Sequence, residues 1–506
     1  MPLNLSNRDQ YSGHLFYSRR LRAAITRYSV RMKHDDRKQQ AALVLSGLLV
    51  VFGVAWMTLL NVVKPAGLVG DALIVGDRST GTVYAKVEGR LYPALNLSSA
   101  RLVVGRAVNP TWVEADEIAK YPSGPMVGIP GAPDGMTVSR NPLSSWSICD
   151  DVSLTEASNG VTSPSTVTTI VGPLELVRAQ PLVDTAAILA THEKQTYIIW
   201  QGRRARIDPN DRAVAGALGL NSAVDRPLPI STALFDAIPA SEPIEVPRIS
   251  DTESPSRWLD GATVGSVLES RDVTGSIDGF FVLLPDGMQK ITRFVAELLR
   301  SVRAPGRDEP TVVGPDKLLR IPLIERLNVG YYPPGKMTFV SPTSAPTTCL
   351  HWEKRVDGRQ AQIRVLSGRG LPVPLDMDSH VVKLVRDDRQ AGSVESVQTL
   401  VLPGASNLIA TTSATQDSTS RESIYWISPQ GVRYGIESDS STMRALGINP
   451  ESAVQAPWPL VRTFAAGPAI SREAALVARD VVSVAGSLSA VPTPALRSFA
   501  SDGERK

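Results

Sequence analysis

The chain is poor in the residues that most often carry out chemistry, with two cysteines and five histidines in 506 residues. No HExxH pair, no zinc-spaced set of cysteines and histidines and no GxSxG elbow occurs, so the usual signatures of zinc and serine hydrolases are excluded. Aromatic residues make up only 6%, and the net charge is +3. So small an excess of positive charge does not suit a nucleic-acid binder. Hydrophobic residues at 42% and charged residues at 20% describe a folded chain, with room for roughly two to four domains.

Long apolar runs are also scarce, and the single one present is informative. Ala41 to Val63, AALVLSGLLVVFGVAWMTLLNVV, contains no charge. As a helix it would span about 34 Å, enough to cross a hydrocarbon layer of about 30 Å with some tilt. A buried core helix is rarely apolar all round, and a secretory signal has a shorter apolar region followed by a small-residue cleavage site, so both fit less well than a membrane anchor. Residues 1–40 hold nine Lys or Arg against Asp9, Asp35 and Asp36, a charge of +6, which leaves −3 for the rest. Basic flanks stay on the cytoplasmic side, so the arm is expected inside and residues 65–506 outside. Within the arm, Leu21, Ile25, Tyr28 and Met32 share one face of a helix read over Leu15 to Met32, with Arg20, Arg27 and Arg31 on another. Such a helix suits anionic headgroups or a partner's cytoplasmic domain.

An oxidising outer compartment favours joining Cys149 to Cys349, with two separate buried thiols as the alternative. Four segments read as strand, turn and strand around Gly89, Gly202, Gly287 and Gly431: TVYAKVEGRLYPAL, QTYIIWQGRRARID, GFFVLLPDGMQKIT and SIYWISPQGVRYGIE. After three of them a short helical stretch ends on Gly105, Gly219 or Gly447, which lie 16, 17 and 16 residues beyond the turn glycine. The third copy lacks this glycine. The irregular spacing between copies argues against a tandem solenoid and for small modules set around an inserted central domain. That domain is expected to draw strands from residues 120–190 and 310–410, including TVTTIV, QIRVL and VVKLV.

Two local patterns invite a chemical reading. GYYPPGKM, Gly330 to Met337, is one residue short of the phosphate loop GxxxxGK[ST]. A working loop wraps phosphate in backbone N–H groups, which Pro333 and Pro334 lack, and Met337 stands where a hydroxyl should hold Mg²⁺. Lys336 is therefore a weak candidate for ATP, and the stretch reads as a turn between two strands. In LDMDSH, a strand would align Asp376, Asp378 and His380 as metal ligands, although a polar loop before VVKLV suits the residues better. No catalytic, cofactor or metal residue is assigned.

The blocks GDRSTGTVYAKVEGRLYPALNLSSARLVVG, VGIPGAP, SSWSICD, ALFDAIP, CLHWEK and AGPAISREAALVARD resemble the EccB family of actinobacterial type VII (ESX) secretion systems, from the arm to about residue 480. Within the family, NRDQYSGHLFYSRRLRAA most resembles the second system's member. The resemblance implies a single-span core component of the inner-membrane secretion complex, alongside EccC, EccD and EccE, with the mycosin protease as an associated partner and self-association in the periplasm. It implies an α+β fold in which one N-terminal transmembrane helix carries an elongated periplasmic region of four small β-hairpin/helix repeat domains around a mainly β central domain. Cys149 and Cys349 match the family's disulfide positions. The family is commonly labelled ATPase, although no intact nucleotide loop carries over. A likeness of the repeats to cell-wall-binding modules implies contact with peptidoglycan, for which Tyr84, Tyr197 or Tyr425 would supply aromatic faces.

The resulting plan is a basic arm at 1–40, a span at 41–63, repeat 1 at 64–119, and the first part of the central domain at 120–190. Repeats 2 and 3 follow at 191–270 and 271–309, then the second part of the central domain at 310–410, repeat 4 at 411–480 and a tail at 481–506.

Overall fold

The computed structural model describes residues 8–28, 33–63, 67–155, 160–272, 274–303, 310–383 and 398–479. Contacts divide the chain into two units, one made of residues 1–81 and 110–121, the other of 82–109 and 122–506.

The first unit contains the helices Arg8–Arg27 and Lys33–Val63. Within the second helix, Ala41–Leu59 is long and apolar enough to cross a membrane, and none of it is buried. The basic-arm helix stops at Arg27, five residues before the stretch read for it ends. Tyr28 turns to a positive φ of 50°, and Met32 lies outside the described residues. Farther along, strand Ile74–Asp77 pairs in parallel with Thr111–Val113. The Trp112 ring lies against Gly76, where a Cβ would come within 2.4 Å of it.

The second unit is organised by a seven-stranded sheet. Its central pair is Leu143–Thr155 and Thr347–Arg355, antiparallel, with Cys149 opposite Cys349. Gly160–Val171 and Gln398–Val401 extend it on one side, Gln362–Gly368 and Ala179–Pro181 on the other. Successive side chains in a strand alternate between faces, so the sheet has two cores. Trp146, Ile148, Leu350 and Trp352 face one, while Cys149, Cys349, Ile170 and Leu366 face the other.

Two further sheets share a topology with the one spanning Leu408–Pro457. In each, three antiparallel strands lead into a helix, and a fourth strand returns parallel to the first. The strands are Ala186–His192, Gln195–Trp200, Arg203–Ile207 and Leu228–Pro229 in one sheet. They are Val267–Arg271, Ile277–Leu284, Gly287–Ile291 and Thr311–Val313 in the next. The last uses Leu408–Thr412, Ile424–Ile427, Val432–Ile436 and Val454–Pro457. A hairpin of the same kind, Val83–Val87 with Arg90–Ala94, leads into helix Leu97–Val104.

The helices begin and end where the side chains dictate. Asn96, Asp211, Thr292 and Asp439 accept hydrogen bonds from the free N–H groups of the first turn. Gly105, Gly219 and Gly447 close three helices in the left-handed conformation, while the helix after Thr292 ends without one on Val302. Gly287 behaves differently from the other turn glycines. Leu284 pairs with it, so Pro285 and Asp286 make the turn and Gly287 is the first residue of the strand. It must lack a Cβ because one there would sit 2.4 Å from the carbonyl oxygen of Pro322.

That close approach belongs to a recurring device. A proline-bearing segment runs back beside the third strand of each hairpin: Leu91 donates to Pro122 O, Arg204 to Pro239 O and Met288 to Pro322 O, while Ile470, after Pro468, donates to Gly435 O. The hairpin's outer edge is thereby covered by a segment whose proline has no N–H to offer a further strand.

The sheets at 186–229 and 408–457 both pack on the Trp146 face of the central sheet. The 267–313 sheet instead shares a core with the 186–229 sheet, through Val214, Leu218, Phe294 and Leu298 of their helices.

Candidate functional site

Three places could carry function: the disulfide-tied centre of the large sheet, the joints that fasten modules to it, and the near-phosphate-loop GYYPPGKM. At the first, Cys149 and Cys349 are bonded and wholly buried. Beside them on the same face, Ser147 Oγ lies 2.9 Å from His351 Nδ1, and His351 Nε2 lies 3.3 Å from Glu353. The residue types suit a nucleophile, a base and an orienting carboxylate, yet Ser147 has no exposed surface and no substrate can reach it. The His351 contact holds the Glu353 carboxyl below its ordinary value, with a smaller contribution from Arg364 3.5 Å away. The set is a polar tie between the two central strands.

The joints lie on the opposite face. Asp150 accepts from Ser231 N at 2.6 Å and Ser231 Oγ at 2.7 Å, and Ser231 in turn caps helix Thr232–Ala237. Asp236 of that helix pairs with Arg462 at 2.5 Å, just beyond the short helix Trp458–Val461. Thr169 of the central sheet meets Thr463 at 2.7 Å, and Trp146 packs edge-on against Phe464. The two flanking modules are therefore tied to the sheet and to each other.

GYYPPGKM is not a turn between two strands: only the two-residue strand Thr338–Phe339 follows it, and no strand directly precedes it. Its side chains are occupied by packing. Tyr332 is buried against Phe294, stacks on Tyr331 and donates to Glu245 O at 2.7 Å. Burial pushes its phenol well above the ordinary tyrosine range. Met337 is buried, and its N–H is spent on Leu218 O. Lys336 is exposed at its tip while its stem lies about 3.5 Å from where a Cβ of Gly219 would be.

The alignment considered for LDMDSH is overturned. Leu375–His380 is a 3-10 helix, which does not place alternate residues on one face, and Asp378 is committed to Arg178 at 2.6 Å. Among the described residues no cluster of three or more metal-ligating side chains occurs. Of VVKLV, Val381–Lys383 is described, with Val382–Lys383 as a two-residue strand, and its later residues lie outside the described set. Tyr84 and Tyr197 are half-buried, the latter donating to Gln195, and Tyr425 is half-buried against Trp458.

One organising feature escaped the sequence reading. Strand Thr111–Val113, helix Ala115–Ile118 and Pro122 recur as Thr311–Val313, Pro315–Leu318 and Pro322, at the same 200-residue displacement that separates Cys149 from Cys349. The signal was present as TWV-x-ADEI against TVV-x-PDKL, too short to stand out without the register of the strands.

Comparison with known proteins gives whole-chain matches. The family profile described as type VII secretion system ESX-1, transport TM domain B, covers residues 3–484. A relative named ESX-2 secretion system ATPase EccB2, from Mycobacterium tuberculosis, is 55% identical over 98% of this chain and 99% of its own. The ESX-5 secretion system ATPase EccB5 of the same organism is 34% identical, over 95% of each chain. Among solved structures, a chain of an intact ESX-5 inner membrane complex superposes with a TM-score of 0.76 at 33% identity, over 97% of this chain and 99% of that one. The EccB3 dimer from the ESX-3 core complex gives 0.70 at 34% identity, over 80% and 100%.

Proposed function

Because this chain belongs to the EccB family of type VII (ESX) secretion components, we propose that it is a structural core subunit of an ESX inner-membrane complex, anchored by its single apolar helix, with the arm cytoplasmic and the bulk periplasmic. The observation that carries this reading is the likeness of nearly the whole chain to a subunit of an intact ESX inner membrane complex. We count four repeat modules around the central sheet as its scaffold, and EccC, EccD and EccE, the mycosin protease and further copies of the chain as its partners. Affinity purification of the tagged chain from membranes, followed by crosslinking mass spectrometry, is expected to recover the three Ecc components. A chain that migrates alone would overturn the proposal.

Relatives carry the word ATPase in their names. The packing of GYYPPGKM supports a non-catalytic reading here, since Pro333 and Pro334 offer no N–H and that of Met337 is engaged. ATP turnover by the purified complex is expected to be the same with Lys336→Ala as without it. Selective loss on that change would favour the enzymatic reading.

A second reading, contact with peptidoglycan, has one observation in its favour. Trp458 remains 38% exposed in a stack with Tyr425, beneath the guanidinium of Arg433. Stacked aromatics of this kind suit sugar rings, and co-sedimentation with purified cell wall should weaken with Trp458→Ala if the reading holds.

A further inference from the structure

The two modules that rest on the Trp146 face are fastened differently, and the difference is chemical. On one side the contact is made by neutral groups and a lysine: Thr169 with Thr463, Ser144 Oγ donating to Gln455 O at 2.6 Å, Trp146 against Phe464, and Lys354 Nζ donating to Ser418 O at 2.8 Å. On the other side, the helix Thr232–Ala237 is met at its capping residue by a carboxyl group with no exposed surface, that of Asp150. Its equivalent 200 residues on is Leu350, which is apolar. One module is thus seated against a buried carboxyl, whereas its counterpart meets neutral groups and a lysine.

We propose that the Asp150–Ser231 contact is a proton-operated joint, which holds the 186–229 module to the central sheet more firmly in mildly acidic surroundings than in alkaline ones. Both Ser231 donors can serve the carboxyl in either form, but among the described residues no cation pairs with it. The charged groups carried by the surrounding elements are engaged elsewhere: Asp151 accepts from Thr347, Asp236 pairs with Arg462, and His192 and Arg204 both lie against the ring of Phe235. None of them acts on Asp150, for which desolvation outweighs the two Ser231 hydrogen bonds and pushes the carboxyl up to about 7. A group raised from an ordinary value of 3.8 binds its proton more tightly when the joint is closed. Opening the joint therefore releases a proton between about pH 4 and about pH 7, and rising pH favours the open state across that window by up to about tenfold per unit. Above it the carboxyl is ionised in both states and the dependence ends.

The test is amide hydrogen exchange on the full-length, detergent-solubilised chain from pH 5 to pH 8, corrected for the intrinsic exchange rate and read by mass spectrometry. Protection of the Thr232–Ala237 amides should fall by up to about tenfold per unit up to about pH 7 and then level off. Asp150→Asn keeps an acceptor for Ser231 but has no proton to lose, so its profile should be flat. The helix Arg293–Ser301, capped by the neutral Thr292, serves as an internal reference in the wild-type chain. If the variant does not fold, the ratio of protection between these two helices still decides the matter. A ratio independent of pH, or identical profiles for wild type and Asp150→Asn, would overturn the proposal.

Discussion

Replacing Cys149 and Cys349 together with serine is expected to lower the stability of the larger unit by up to about 5 kcal/mol, the loop-closure value for a bond that spans 200 residues. The bond joins strands already in register, so the native sheet should survive the change at low temperature while the unfolded chain gains freedom. Thermal unfolding of the purified full-length chain, oxidised wild type against the double variant, gives the measurement. Melting temperatures equal within error would mean that the sheet alone fixes the two central strands. Single substitutions should act through the same loss, because neither thiol has another partner.

Trp146→Ala is expected to cost about 3–5 kcal/mol, the range for a large aromatic deleted from a packed core. The residue is 1% exposed and meets Phe464 with ring centres 5.9 Å apart. Its Nε1 donates to Ser144 Oγ at 3.0 Å, and Ser144 passes the bond on to Gln455 O. The substitution therefore empties a cavity and strips one link from a relay that joins the central sheet to the 408–457 module. Denaturant unfolding should show the loss, and limited proteolysis should show earlier cleavage within residues 408–476. Phe in place of Trp retains most of the volume and should recover much of the stability.

The sequence disclosed these features unevenly, for physical reasons. The apolar run at Ala41–Leu59 and the helix-closing glycines Gly105, Gly219 and Gly447 were legible because each is set by local residue chemistry. The cysteine pair was legible because two thiols permit one bond. Gly287 was misread as a turn glycine because the reason for it lies at Pro322, more than thirty residues away in sequence. LDMDSH was given a possible strand period, yet Arg178 holds Asp378 in a tighter helical turn, and no pattern within six residues could report that. Asp150 left no trace at all: an aspartate in ICDDVS looks like a surface residue, and its burial exists only because the chain brings Ser231 onto it. Motifs for local conformation were readable, whereas contacts made across the sheet were not.

The sulfur bridge also alters how mechanical tension would travel. A pull applied between the apolar helix at Ala41–Leu59 and residue 479 follows the backbone to Cys149, crosses to Cys349 and continues, so residues 150–348 carry none of it covalently. Two whole modules, those at 186–229 and 267–313, sit inside that bypassed loop. Strain along the chain would be borne by the N-terminal hairpin module, the centre and the C-terminal module, leaving the pair in the loop to keep its internal packing while the ends are drawn apart.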